Sequence, residues 1–334
     1  MKKGKKNKRA VIIALLCAII LFSGCQGAYV KASADASKKF IKWVDFGVSY
    51  EVLDQALKYD LNSYGKNVRL NWIELLAYTA AKNGGKFQSK RSAELDKLVK
   101  RLSSGEKLGD ITAGMSYYRY FLEAYTAVLG GFVGVYTVTV PSKDDPNVRV
   151  MEKRYGLKVF SPIAAGYGFS HCDDFGNSRN YGFKRRHLGH DMMSGVGTPV
   201  IAVESGIIEA MGWNRYGGWR IGIRSFDGLR YYYYAHLRKN HPFQSGLKQG
   251  DIVNAGDVIG YLGMTGYSTK KNVNNIQTPH LHFGMQLVFD ESQKESVSEI
   301  WINTYNIVKL LQKSRAKVVK NPDTKEYYRA ISAK

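Results

Sequence analysis

The chain is predicted to be α+β and multidomain: an N-terminal all-helical domain, then an antiparallel β-sheet domain, then a C-terminal helix. Three observations carry this expectation. Apolar residues recur at helical spacing from Tyr50 to about Tyr136. A polar, turn-rich stretch, Pro141-Ser142-Lys143-Asp144-Asp145-Pro146-Asn147, then breaks the pattern. Beyond it lie short apolar runs separated by glycine turns, the mark of antiparallel strands. With 334 residues, 44% of them hydrophobic, the chain can bury a sizeable core in more than one domain.

Residues 1–34 read as a leader. Lys2, Lys3, Lys5, Lys6, Lys8 and Arg9 stand ahead of an unbroken apolar run over 11–22, the pattern of an export signal. Three fates fit it. Ala32-Ser33-Ala34 offers a small-x-small cleavage site before Asp35. Phe22-Ser23-Gly24-Cys25 resembles a lipoprotein box. Residues 11–30 also match one bilayer span of about 20 residues. Each fate puts the body outside the cytoplasmic membrane, secreted or associated with the cell envelope. Membrane contact is expected only through this segment, if it is retained.

The formal charge of +21 falls to +14 once the seven cations of residues 1–34 are set aside. A basic exported protein is drawn to anionic polymers such as those of a cell wall. Nucleic acid is not expected as a partner, because no nucleic-acid module is recognisable and export argues against it. Cleavage after Ala34 leaves Cys172 as the single cysteine, so no disulfide framework can form within the chain.

The helical domain is placed over 35–140. Its clearest helix starts at Asn71, a good N-cap, with Glu74 positioned to close a capping box. Trp72, Leu75, Leu76 and Thr79 mark its apolar face, and Asn83-Gly84-Gly85 ends it. Further helices are predicted over 93–102 and 116–129, the latter stopped by Gly130-Gly131. A glycosidase here needs a buried general acid, for which Glu74 and Glu123 are the candidates. Capping accounts for Glu74, and a packing, targeting or regulatory role is the better reading of this region.

Residues 141–157 are predicted to be a connector, and 158–290 the β domain, a sandwich or open barrel. Segments 219–226 and 229–236 flank Asp227-Gly228, a strong hairpin signal. A second hairpin is predicted between 200–204 and 206–211 around Ser205-Gly206. Strands are also expected over 251–253, 258–262 and 280–289. In the tail, 291–334, a helix is predicted over 296–314 with Ile300, Trp301, Thr304, Ile307, Val308 and Leu311 on its apolar side.

The chemistry concentrates in the β domain, where all seven histidines fall between residues 171 and 282. His280 and His282 sit two apart on a predicted strand and so project to one face. His187 and Asp191 lie four apart in a glycine-containing segment that has to curve for both to reach one ion. Tyr234-Ala235-His236-Leu237 ends an aromatic strand. Around these stand Gly197-Thr198-Pro199-Val200, Gly256-Asp257-Val258-Ile259-Gly260 and Gly263-Met264-Thr265-Gly266.

In this order and spacing, the motifs resemble the M23 family of zinc metallopeptidases, the lysostaphin-like peptidoglycan endopeptidases, over about 158–310. The resemblance implies that 158–290 is an M23-type β domain binding one Zn²⁺ per chain. It implies His187, Asp191 and His282 as the metal ligands, and His236 and His280 as the catalytic histidines. Two imidazoles and a carboxylate leave zinc an open position for water, the arrangement of a catalytic rather than a structural site. The implied activity is an exported endopeptidase acting on the peptides of cell-wall peptidoglycan. The alternative is a non-catalytic envelope scaffold or activator of another hydrolase; the complete five-residue set favours the enzyme.

The remaining candidates read differently. His190 falls outside the family register, and His171 and Cys172 belong to an upstream loop. His241, before Pro242, is expected in a solvated turn. The aromatics of 231–234, with Trp213 and Trp219, either line a substrate groove or pack in the core.

Overall fold

The computed structural model describes residues 40–330 apart from 146, 181–183 and 295. The leader, with its alternatives at Cys25 and Ala34, lies outside the described residues. Among those residues, no helix is long and apolar enough to cross a membrane.

The helical layer comprises α1 (Tyr50–Ser63), α2 (Trp72–Asn83), α3 (Ala93–Ser103), α4 (Leu108–Thr112) and α5 (Tyr118–Leu129). Local chemistry sets the ends of α2. The Asn71 side chain accepts from the backbone N–H groups of Ile73 (2.8 Å) and Glu74 (3.3 Å), which otherwise have no intrahelical partner. Gly84 closes α2 in the left-handed conformation, φ 59°, which glycine adopts without strain. Trp72, Leu75, Leu76 and Thr79 are buried as the spacing predicts. In α3, Ser92 caps the start, and Leu95, Leu98, Val99 and Leu102 form the buried stripe.

After α5, the chain forms a hairpin of β1 (Val133–Pro141) and β2 (Arg149–Leu157), paired from Val133 opposite Leu157 to Pro141 opposite Arg149. The expected connector over 141–157 is therefore largely a strand. The β-branched and aromatic run from Val133 to Val140 is its local signal. Only Val140 and Gly156 of this hairpin are buried, so it lacks the alternation of core and solvent faces by which half-buried strands are read.

The following strands are β3 (Ser170–His171), β4 (Ser178–Asn180), β5 (Lys184–Arg186), β6 (His190–Met193), β7 (Pro199–Ile201), β8 (Gly206–Asn214), β9 (Gly218–Ser225), β10 (Arg230–Ala235), β11 (Ile252–Val253), β12 (Val258–Tyr261), β13 (His280–Leu287) and β14 (Ile300–Ile302). Helix α6 (Tyr305–Leu311) and a last hairpin, β15 (Val318–Lys320) with β16 (Tyr327–Arg329), complete the described chain. Eight strands form one sheet in the order β11-β8-β9-β10-β13-β6-β3, with β14 also paired to β13. All of its pairs are antiparallel.

The hairpin at Asp227-Gly228 forms as predicted, between β9 and β10. The one expected at Ser205-Gly206 does not: β7 pairs with β12, and β8 with β9 and β11. Gly206 lies so close to β9 that a Cβ there would be 2.2 Å from the Arg224 carbonyl oxygen, an approach only glycine permits. The tail also differs from prediction. The helix expected over 296–314 shortens to α6, because Ile300-Trp301-Ile302 pairs with Met285, Gln286 and Leu287 along β13. Satisfying that strand edge outweighs a weak helical pattern.

Residues from Ile41 onward form one compact unit, and a single apolar cluster runs from α1 and α2 to the buried face of the sheet. Arg230, 1% exposed, ties the two layers together. Its guanidinium donates to the Ala127 carbonyl in α5 (2.7 Å), to Glu204 (2.9 Å) and to Asp227 (2.6 Å). Lys313 Nζ, just past α6, pairs with Asp54 of α1 at 2.6 Å.

Candidate metal and catalytic site

The site lies on the face of the sheet opposite the shared core. Strand alternation places it there. On β13, Leu281 and Phe283 point into the core and are fully buried, so His280 and His282 point away from it. On neighbouring β6, Asp191 stands opposite His282. His187 reaches the same point from the bend that precedes β6. Gly189 permits this bend, since a Cβ at that position would lie 2.4 Å from His282 Nε2.

Three donor atoms converge. His187 Nε2 lies 3.0 Å from Asp191 Oδ1 and 3.0 Å from His282 Nδ1, and His282 Nδ1 lies 2.9 Å from Asp191 Oδ1. Among the described residues, this trio forms a group able to hold a metal ion. The second nitrogen of His187 is backed by Asp174: Nδ1 donates to its backbone carbonyl at 3.4 Å and stands 3.2 Å from its carboxylate Oδ1. Arg179 holds Asp174 through an ion pair and lies 3.5 Å from Asp191 Oδ2. A carboxylate behind a ligating imidazole fixes its tautomer and raises its basicity.

Electrostatics prepare the trio for a cation. Burial alone would raise the Asp191 pKa, but hydrogen bonds with His187 and His282 outweigh it and hold the carboxyl well below the usual range. Burial pushes the His282 imidazole down despite the pull of Asp191. The carboxylate is thus charged and His282 neutral near pH 7, the protonation states metal binding requires. Two nitrogens and one carboxylate oxygen, with a fourth side open, are the donor set of a catalytic zinc site.

Two further imidazoles flank the trio. His280 Nδ1 donates to the Thr278 carbonyl (2.8 Å), which turns Nε2 toward the cluster, 3.8 Å from Asp191 Oδ1. His236 Nδ1 donates to the Thr265 carbonyl at 2.9 Å, and its ring centroid lies 4.8 Å from that of His280. Burial, then the neighbouring His280 and His282, push the His236 pKa well below its ordinary value. His236 holds φ at 62°, a strained conformation for a non-glycine residue that turns its ring off the end of β10 into the site.

The five predicted site residues therefore lie together. His190 alternates to the other face, where it is buried and its Nε2 lies 2.8 Å from His171 Nδ1. Cys172 is exposed. His241 keeps solvent contact, its side chain 42% exposed, and it also stacks on Tyr261 and lies 3.0 Å from Glu326, 85 residues further along the chain. The aromatic strand divides by alternation. Tyr232 and Tyr234 are fully buried in the core, whereas Tyr231 and Tyr233 face the site side. Asp174, Arg179, Thr265 and Thr278 were not anticipated. Of these, only Asp174 carried a local signal, an acidic pair beside His171-Cys172.

Residues 185–296 match the family model of Peptidase family M23. This chain carries a peptidase M23 domain. The M23 region is similar to that of the L-Ala–D-Glu endopeptidase of Bacillus subtilis, 40% identical over 124 residues, which are 37% of this chain and 36% of that protein. Lysostaphin of Staphylococcus staphylolyticus is 44% identical over 98 residues, 29% of this chain and 18% of that one. The chain thus spans about a third or less of the length of these curated relatives. Among solved structures, that of a lytM protein from Ruminococcus gnavus aligns with a TM-score of 0.53 at 24% identity, covering 81% of this chain and 92% of that one. At that identity the likeness concerns the fold.

Proposed function

We propose that this M23 protein is an exported zinc endopeptidase that hydrolyses peptide bonds in cell-wall peptidoglycan. The observation that carries this reading is the meeting of His187 Nε2, Asp191 Oδ1 and His282 Nδ1 within 3.0 Å of one another, beside two histidines whose Nδ1 atoms are held by backbone carbonyls. The relatives support it: two proteins sharing this region are named L-Ala–D-Glu endopeptidase and lysostaphin.

In this reading His187, Asp191 and His282 would hold one zinc ion per chain, which would supply Lewis acidity toward water and the scissile carbonyl. Asp174 keeps the Nδ1 proton on His187 and so leaves Nε2 free as a ligand. His280 accepts a proton at Nε2 from the attacking water, since its Nδ1 proton is held on Thr278. His236, likewise holding its Nδ1 proton on Thr265, presents Nε2 on the other side of the groove. Its Nε2 lone pair accepts from the N–H of the scissile amide and so orients it, while the proton that His280 takes from water returns to the leaving amine. Residues 158–290 form the working region; the helical layer covers the other face of the sheet.

The test is a digest of purified peptidoglycans of several cross-bridge types, read by mass spectrometry, with parallel samples containing a chelator or His280→Ala. New amino termini that vanish in both controls are expected. Zinc binding without cleavage of any wall type would instead favour the scaffold reading.

A further inference from the structure

Two arginines beside the catalytic cluster lack the partners that the other buried arginines have. Arg179, Arg224 and Arg230 are each paired to a carboxylate. Arg185 and Arg220 are half-buried, and the Nε of each is enclosed without a hydrogen bond. Among the described residues, neither forms an ion pair. A guanidinium partly removed from water without a counter-charge is unfavourable, so its retention calls for an explanation.

Register places Arg220 in the groove. Ile221 stands opposite Tyr234, which brings Arg220 beside Ala235, and Ala235 stands opposite His282. Ile221 is fully buried on the core side, so Arg220 points to the site side, in the same cross-strand row as His282 and Asp191. Its neighbours in that row are small: Ala235 on one side and Gly212, opposite it on β8, on the other. Gly222 is equally bare two positions on. The Tyr231 ring packs over it, since a Cβ there would lie 1.9 Å from the Tyr231 hydroxyl oxygen. Arg185 enters from β5, donating to the Tyr267 hydroxyl, and the Tyr267 ring lies 5.6 Å from that of His236. Tyr233 joins the two: burial raises its hydroxyl pKa, and both Arg220 and Arg185 lie close enough to oppose the rise.

We propose that Arg220 and Arg185 form a carboxylate-binding subsite that selects acidic peptides as substrates for this centre. The inference rests on the endopeptidase reading above and names its substrate class. Arginine is suited to this role because its planar fork pairs with a carboxylate through two parallel hydrogen bonds. Arg220 lies two strands from His282, roughly 10 Å at the usual strand spacing, so the carboxylate sits within one to three residues of the bond cut. A stem peptide whose glutamate is joined through its side chain carries such a free α-carboxylate. A polyglycine bridge has none along its length.

The test uses the zinc-loaded full chain and three synthetic peptides: an L-Ala–γ-D-Glu–L-Lys peptide with the α-carboxylate free, the same peptide with that group amidated, and pentaglycine. Both kcat/KM and equilibrium binding by titration calorimetry are measured. The free acid is expected to lead the amide by about tenfold or more in both, with pentaglycine behind. In Arg220→Gln and Arg185→Gln the acid-to-amide ratio should fall toward one, and Arg220→Lys should restore part of it. Equal use of acid and amide by the unaltered protein, or preference for pentaglycine, overturns the subsite and leaves the endopeptidase standing. Preferential binding of the acid with no cleavage overturns the endopeptidase and leaves the subsite. Because the peptide pair probes the unaltered protein, a variant that fails to fold does not remove the test.

Discussion

Three histidines of the candidate site are each held by a specific second contact. His280 and His236 are aimed through backbone carbonyls at Thr278 and Thr265, and His187 through Asp174. These contacts separate chemistry from metal binding. His280→Ala should lower kcat by about 10²–10⁴-fold while zinc content stays at one per chain, measured by peptide cleavage alongside metal analysis. Asp174→Asn should instead weaken zinc binding by about 10–100-fold, read by competition with a chromophoric chelator. Gly189→Ala forces a methyl group against His282, so both metal affinity and stability should fall, the latter by about 1–3 kcal/mol. The five candidate site residues, His187, Asp191, His236, His280 and His282, were legible through the ordered motifs that carry the family resemblance. Asp174 was not, because its role depends on a fold-back from 13 residues away.

At the scale of elements, the predictions that held rest on strong local chemistry. The caps of α2, the stripe of α3 and the Asp227-Gly228 hairpin are each set within a dozen residues. Asn71→Ala should cost about 1 kcal/mol in urea unfolding and leave cleavage unchanged, since α2 lies on the far side of the sheet from the site. The predictions that failed involve competition between partners. Val200 and Ile201 had a nearby strand in β8 but paired with β12 instead, and Trp301 left a helical pattern to join the sheet. Periodicity ranks the faces of one segment; it does not rank the strands that segment could pair with. The β1–β2 hairpin was missed for a related reason, since a ribbon with only Val140 and Gly156 buried carries no burial alternation.

At the scale of the whole molecule, the helical layer and the sheet share one core, and Arg230 is their buried polar link. Arg230→Ala strands Glu204 without its partner in an enclosed setting. A loss of about 3–5 kcal/mol is expected, visible as a lower midpoint in denaturant. A metal held by His187, Asp191 and His282 would couple to the same fold, because these side chains come from two segments 91 residues apart. Removing it with a chelator should lower the melting temperature. The lost stabilisation is about 4 kcal/mol when free zinc is a thousandfold above its dissociation constant, and re-adding zinc should restore it.

By itself, the sequence determined which residues could make a metal site and that His280 and His282 share a strand face. It also determined where the helices are capped and where the β9–β10 hairpin turns. All of these follow from periodicity and backbone preference over a few residues. Only the tertiary structure decided which nitrogen of each histidine faces the cluster, that Asp174 stands behind His187, that His241 meets Glu326, and that Arg185 and Arg220 both lie near Tyr233 with no carboxylate partner among the described residues. Those facts depend on register and packing between segments far apart in the chain, where many arrangements satisfy the same local pattern and burial of the common core selects one.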